Sequence, residues 1–281
     1  MKNKTWLCFP VIQAAALIQT ASGAAWTDVA FTAALAWLLL RIPRVRELPE
    51  WLGGLRIIWN AFLIGQVLGW FSDCWPGFGI WAAAGLLLLS LWQTGKGNKA
   101  VAASVSVLGL FQLALIGGVL AAGVQSIRPA NLQPRFPAFQ GWLLTALLLP
   151  AALGTEEESG SLWPGLWAVG ISLVSGGVVP AGSLQTGENA FREMSRSLSV
   201  FGKIRRLESL TAVGLSLGFF TLLCLLLGQG NERGVKWMFP ALAGFSLLLV
   251  GCAIPGNYAA LISVVLWILL PALLRAVSGK S

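Results

Sequence analysis

The sequence predicts an all-α polytopic membrane protein of about ten transmembrane helices, forming a single integral membrane domain over residues 1–281. Three observations predict it. Mean hydropathy is +0.76 and only 11% of residues are charged, against about a quarter in a soluble domain. The apolar residues come in runs long enough to form membrane helices, which need about 20 residues. The 19 Lys and Arg residues sit in short clusters between those runs, the pattern that orients a membrane protein rather than one that forms a nucleic-acid-binding face. Fourteen Trp and 33 Gly agree, since Trp favours membrane interfaces and Gly favours close helix contacts. The lipid bilayer is therefore an expected partner, and nucleic acid is not, despite a net charge of +8.

The runs fall near 6–23, 26–42, 55–72, 78–93, 100–124, 140–154, 162–181, 208–228, 235–252 and 257–276. The first follows Lys2 and Lys4 and ends in TASGAAW. A cleaved signal peptide is the alternative there, but a retained first span satisfies the same pattern and further spans follow at once. The second run starts after only a tight turn. The sixth, GWLLTALLLPAALG, is short and carries Pro150, so it is expected to be broken or re-entrant. The acidic Glu156, Glu157 and Glu158 that follow read as a solvated loop.

Orientation follows from the Lys/Arg bias. Placing the N-terminus inside puts twelve Lys/Arg residues on the cytoplasmic side and seven outside, so both termini are expected to be cytoplasmic. This puts Gly95 inside and Ser195 outside. Five of the seven outer charges belong to one stretch, 183–207. Within it Phe191, Met194, Leu198 and Phe201 recur at spacings of three and four, opposite Arg192, Glu193, Arg196 and Ser197. The stretch is expected to be an extracellular amphipathic helix lying at the headgroup level. Glu208 opens the next span, where the helix dipole favours a carboxylate and Arg205 is in reach at i,i+3.

Catalysis finds little support. The chain has no His, which removes the commonest proton shuttle and metal ligand. Cys8, Cys74, Cys224 and Cys252 lie in or beside apolar runs without metal-ligand spacing and read as buried thiols. No span carries a carboxylate in its middle, which disfavours transport driven through a buried acid. No enzyme activity, metal or cofactor is expected. The spans instead hold neutral polar residues, among them Gln13, Asn60, Gln66 and Thr145. Gly117-Gly118, Gly176-Gly177 and the Gly214/Gly218 pair read first as helix-packing sites.

Three segments are also similar to a known family. Ile204-Arg205-Arg206-Leu207-Glu208-Ser209-Leu210 resembles the segment before the eighth span of spore germinant-receptor B subunits, the GerAB-like family. IRPANLQPRF, 127–136, with Asn131 and Pro134, resembles the Asn-Leu-x-Pro loop after that family's fifth span. TGKGNKAVAASVSVLGLFQLALI resembles its entry to the fifth span. The three are in register over roughly 55–276. The resemblance implies the amino acid–polyamine–organocation transporter superfamily, with two inverted five-helix repeats and broken helices one and six. It implies germinant-receptor A and C subunits as partners, the spore inner membrane as location, and the sensing of a small nutrient such as an amino acid. The chain is shorter than is usual for that family, and its first helix runs almost directly into Trp26, as in a compact or degenerate member. On this basis the ligand is expected between the end of span one (Gln19, Thr20, Ser22, Gly23) and span six (Thr145, Pro150), with Gln66 as a lateral contact. Arg205, Arg206, Glu208, Asn131 and Pro134 are expected to be structural. The alternatives are a stand-alone amino-acid permease of the same superfamily, or a scaffold subunit that has lost its ligand site.

Overall fold

A computed structural model describes residues 26–40, 50–73, 79–134, 163–180, 190–201, 207–231 and 256–278. Every regular element among the described residues is helical. In chain order they are α1 (Trp26–Leu40), α2 (Glu50–Asp73), α3 (Gly79–Gly95), α4 (Asn98–Val124), a 3₁₀ turn (Pro129–Leu132), α5 (Trp163–Val178), α6 (Ala190–Phe201), α7 (Leu207–Asn231), α8 (Gly256–Val264), a π turn (Val265–Leu269) and α9 (Leu270–Ser278). The expected spans 6–23, 140–154 and 235–252 lie outside the described residues.

Among the described residues, three helices are long and apolar enough to cross a membrane: Trp51–Gly69 in α2, Lys99–Val124 in α4 and Ser209–Gly228 in α7. At 1.5 Å per residue, 20 residues cover the roughly 30 Å of bilayer hydrocarbon. Shorter apolar helices occupy Gly79–Gly95, Leu166–Val178 and Leu261–Leu274. The chain is a helical membrane protein on these grounds.

The bundle is organised around α7. This helix is apolar on all sides, the pattern of a helix enclosed by others, and Leu222 through Leu227 are all buried. It packs against α2, α3, α4 and α6. Its direction follows from two contacts. The Cys224 Sγ lies 4.0 Å from the carbonyl oxygen of Ser90 near the end of α3. At the other end, a Cβ built on Gly214 would stand 3.8–3.9 Å from Ile116 and Leu115 of α4. Since α3 and α4 are joined by a tight turn, α7 runs antiparallel to α4.

That turn depends on Gly97, whose φ of 96° lies where side chains are strained. Its carbonyl accepts from the N–H groups of Ala100 and Val101. The Gln93 amide straps the turn by donating to the Ala100 carbonyl and the Ser104 hydroxyl. Lys96 sits over the Trp92 ring, 3.2 Å from its centroid, a cation–π contact at the exposed end of α3.

The opposite end of the bundle holds the 3₁₀ turn, α6 and the last turns of α4 and α5. Gly177 is the hinge point of that end. The Asn131 Nδ2 donates to its carbonyl at 3.0 Å, and so does the Arg128 backbone N–H at 3.0 Å. Two of the carbonyl's possible partners thus come from one loop, closing the C-terminal turn of α5. A Cβ on Gly177 would come within 3.0–3.3 Å of Ile127 and Leu132, so the glycine lets the loop approach. The Trp26 indole N–H donates to the Leu132 carbonyl at 3.1 Å, bringing the start of α1 to the same end.

Of the amphipathic stretch 183–207, Ala190–Phe201 is helix and Leu207 begins α7; 183–189 and 202–206 lie outside the described residues. The surface it meets differs from expectation. Its apolar side faces protein: Phe191 and Met194 are buried in the core, and Met194 fills the space beside Gly123, where a Cβ would stand 2.8 Å from its Sδ. Membrane-surface helices and docked helices share one hydrophobic period, so the period cannot tell lipid from a neighbouring helix. Ser195 is buried and its hydroxyl donates to the Arg192 carbonyl; it is no outward-facing position. Arg196 is, and pairs loosely with Glu193 at 3.9 Å.

Candidate functional site

The polar groups inside the bundle fall into two kinds. Hydroxyls are satisfied by their own helices: Ser90 donates to Leu86, Thr94 to Ser90, Ser175 to Ile171 and Thr211 to Leu207, each a carbonyl four residues back. This back-bonding is the ordinary fate of Ser and Thr in membrane helices. The longer polar side chains cannot bond this way and are the informative ones. They include Asp28 on α1, Arg56, Trp59, Asn60 and Gln66 on α2, Gln93 on α3 and Gln112 on α4.

Arg56 and Trp59 fasten α2 to the broken last helix. The Trp59 indole N–H donates to the Ser263 hydroxyl at 2.9 Å. One turn earlier, Arg56 Nε and Nη2 donate to the Leu266 carbonyl at 3.1 and 3.0 Å, with the guanidinium carbon 5.1 Å from the Trp267 ring centroid. A cation inside a span is expensive and usually functional. Here its hydrogen bonds go to a backbone carbonyl exposed at the π turn.

Gln66, the expected lateral contact, is on α2 and buried, as is Asn60. Gln19, Thr20, Ser22, Gly23, Thr145 and Pro150 lie outside the described residues, as do Arg205 and Arg206. The backbone of Glu208 lies in the first turn of α7. Asn131 caps α5 through Gly177, and Pro134 is exposed beyond the 3₁₀ turn.

Sequence reasoning missed Gln112. It is fully buried, and neither its Oε1 nor its Nε2 has a hydrogen-bond partner among the described residues. The signal was present: Gln112 is the one amide side chain in the 100–124 run and stands at its centre. The break in the last span was also missed, although Pro271 inside LLPALL marks it.

Among the described residues, no group of three His, Cys, Asp or Glu side chains stands together as metal ligands would. What the interior offers is neutral hydrogen bonding and a helix carbonyl held by a guanidinium. That chemistry can bind and discriminate uncharged or zwitterionic polar molecules. No protein-family model matches the chain, and no curated protein matches it.

Proposed function

We propose that the chain is the membrane subunit of a spore germinant receptor, sensing or passing a small nutrient such as an amino acid to trigger germination. The observation that carries this reading is the run of uncharged polar side chains in the middle of the bundle: Asn60, Gln66 and Gln112 are buried within α2 and α4, while Arg56 bonds to a backbone carbonyl and the buried carboxylate of Asp28 stands in the first turn of α1. Such an interior suits recognition by hydrogen bonds. Proton-driven pumping relies on carboxylates or imidazoles well inside the membrane, and among the described residues the buried carboxylate, Asp28, stands at the start of α1 rather than in its middle.

The resemblance of the three segments around Lys96–Lys99, Asn131–Pro134 and Arg205–Glu208 supports the same reading. Asn131 has a concrete task in it, since its bond to Gly177 joins the loop after α4 to the end of α5. In the full proposal the chain forms ten spans in two inverted five-helix repeats, with both termini cytoplasmic and α6 outside. A- and C-type subunits are its partners in the spore inner membrane. The nutrient lies between Gln19, Thr20, Ser22 and Gly23 of span one and Thr145 and Pro150 of span six, where broken helices expose backbone donors and acceptors, with Gln66 at the side.

Two measurements separate this from a stand-alone permease. A tagged chain purified from spore membranes should bring A- and C-type subunits with it, and vesicles holding the chain alone should show no uptake of labelled amino acids. Uptake by the chain alone, without partners, identifies the permease. Partners without ligand binding identify a scaffold.

A further inference from the structure

We infer that the Gln112 amide is the mid-membrane contact for a small uncharged molecule that both donates and accepts hydrogen bonds, held between α4 and the glycine-bearing face of α7. The occupant is water or a small amide- or hydroxyl-bearing solute. The inference stands apart from the nutrient reading and concerns a different helix pair from spans one and six.

Position comes first. Gln112 lies at the centre of Lys99–Val124, and Gly218 at the centre of Ser209–Gly228. The contact of Gly214 with Ile116 and Leu115 fixes the antiparallel register of α4 and α7. One turn back along α4 from Ile116, and one turn on along α7 from Gly214, Gln112 and Gly218 stand at the same level. Gln112 is buried, as are Val105, Ile116 and Val119 of the same helix, and it stands one turn from Ile116, the residue that meets Gly214 of α7. Glycines at 214 and 218 put no side chain into that seam.

Chemistry comes second. The amide has 0% exposure, and both its oxygen and its nitrogen lack partners among the described residues. A buried amide left dry in apolar surroundings is strongly disfavoured, and buried waters characteristically sit at such groups. The hydroxyls nearby are already used: Thr221 donates to the Gly218 carbonyl. The benzo edge of the Trp167 ring of α5 packs against α4 at Gly117, and the Trp167 Nε1 is also buried without a partner among the described residues. Between Lys99 and Arg128 the chain carries no charged residue. A ligand at Gln112 is therefore met by one acceptor and one donor group of no net charge.

The test uses the full chain in lipid vesicles. With the four native cysteines replaced by alanine, Gln112→Cys is exposed to silver ion, which reaches thiols only through water, and the remaining free thiol is then counted in detergent. Leu87→Cys, equally buried but in an apolar setting on α3, is the reference. Silver should block Gln112→Cys at least ten times faster than Leu87→Cys; equal rates would overturn the inference. A rise in Tm of the otherwise native chain in molar glycerol that exceeds the rise in Gln112→Leu identifies a solute as the occupant, and equal rises identify water. Thermal unfolding of Gln112→Leu is an independent check on the otherwise native chain. Loss of an occupied amide should lower Tm by roughly 2–4 °C. A raised Tm would show a dry, unsatisfied amide and overturn the inference as well.

Discussion

Arg56 of α2 holds the carbonyl oxygen of Leu266 with two nitrogens, at 3.1 and 3.0 Å, across 210 residues of sequence. The reason is legible in the last helix. Residue 271 is proline, which has no N–H and whose ring collides with the carbonyl four residues back. The chain responds by widening into the π turn Val265–Leu269, in which the Leu270 N–H bonds the carbonyl of Val265, five residues back. The next donor in that pattern is residue 271 itself. Leu266 is left without a main-chain donor, and Arg56 supplies the replacement.

If that account holds, Arg56 and Pro271 are energetically coupled. Arg56→Met leaves the Leu266 carbonyl unpaired and should destabilise the folded chain by about 1–3 kcal/mol. Pro271→Ala restores an N–H and lets the helix run on, so Arg56→Met should cost much less in that background. Thermal unfolding of the four proteins in the cycle measures the coupling. Equal losses in both backgrounds would separate Arg56 from the break.

The Asn131 cap gives a second expectation. Asn131→Ala removes one of two donors to the Gly177 carbonyl and should cost about 1 kcal/mol. Gly177→Ala should destabilise too, because its Cβ would press on Ile127 and Leu132 at 3.0–3.3 Å. Ser106→Ala, whose hydroxyl bonds only its own helix at Ala102, is the neutral comparison. Chemical denaturation of each variant in one detergent tests the order.

Topology gives a third. Gly95 and Arg196 are both exposed and lie at opposite ends of the bundle, with Gly95 beside the α3–α4 turn and Arg196 on α6. Single cysteines at these two positions in a cysteine-free chain should react with an impermeant reagent from opposite sides of the membrane. Reaction of both from one side would break the proposed ten-span path.

How much of this was legible beforehand differs by level. The apolar runs overlap helices α1 to α5, α7 and the last helix, and α2, α4 and α7 are long and apolar enough to span, because lipid imposes one requirement on every residue of a spanning helix. The amphipathic period of Phe191, Met194 and Leu198 was readable, but the surface it meets was not. Arg56, Leu266 and Pro271 illustrate the limit more sharply: the proline announces a break, and nothing local announces the arginine that repairs it. Gln112 could have been singled out as a lone amide in an apolar run. Its inferred place opposite α7, at the level of Gly218, depends on helix register, which no single segment encodes.

A fourth expectation concerns ligand recognition at the proposed nutrient site. Gly23→Val should abolish binding sterically, while Ser106→Ala should leave it intact. Affinity should change little between about pH 6 and 8, because none of Gln19, Thr20, Ser22, Gly23, Gln66, Thr145 or Pro150 titrates there. Direct binding of labelled nutrient to the purified chain reads both. Undiminished binding by Gly23→Val would move the site elsewhere.

The central proposal, a subunit that couples a nutrient to germination, is tested most directly in spores. Spores lacking this chain, and the same spores with it restored, are challenged with amino acids, sugars and nucleosides while loss of optical density is followed. The account predicts that the response to at least one nutrient is lost without the chain and returns with it. Full germination of the deficient spores on every nutrient that triggers the parent would contradict it.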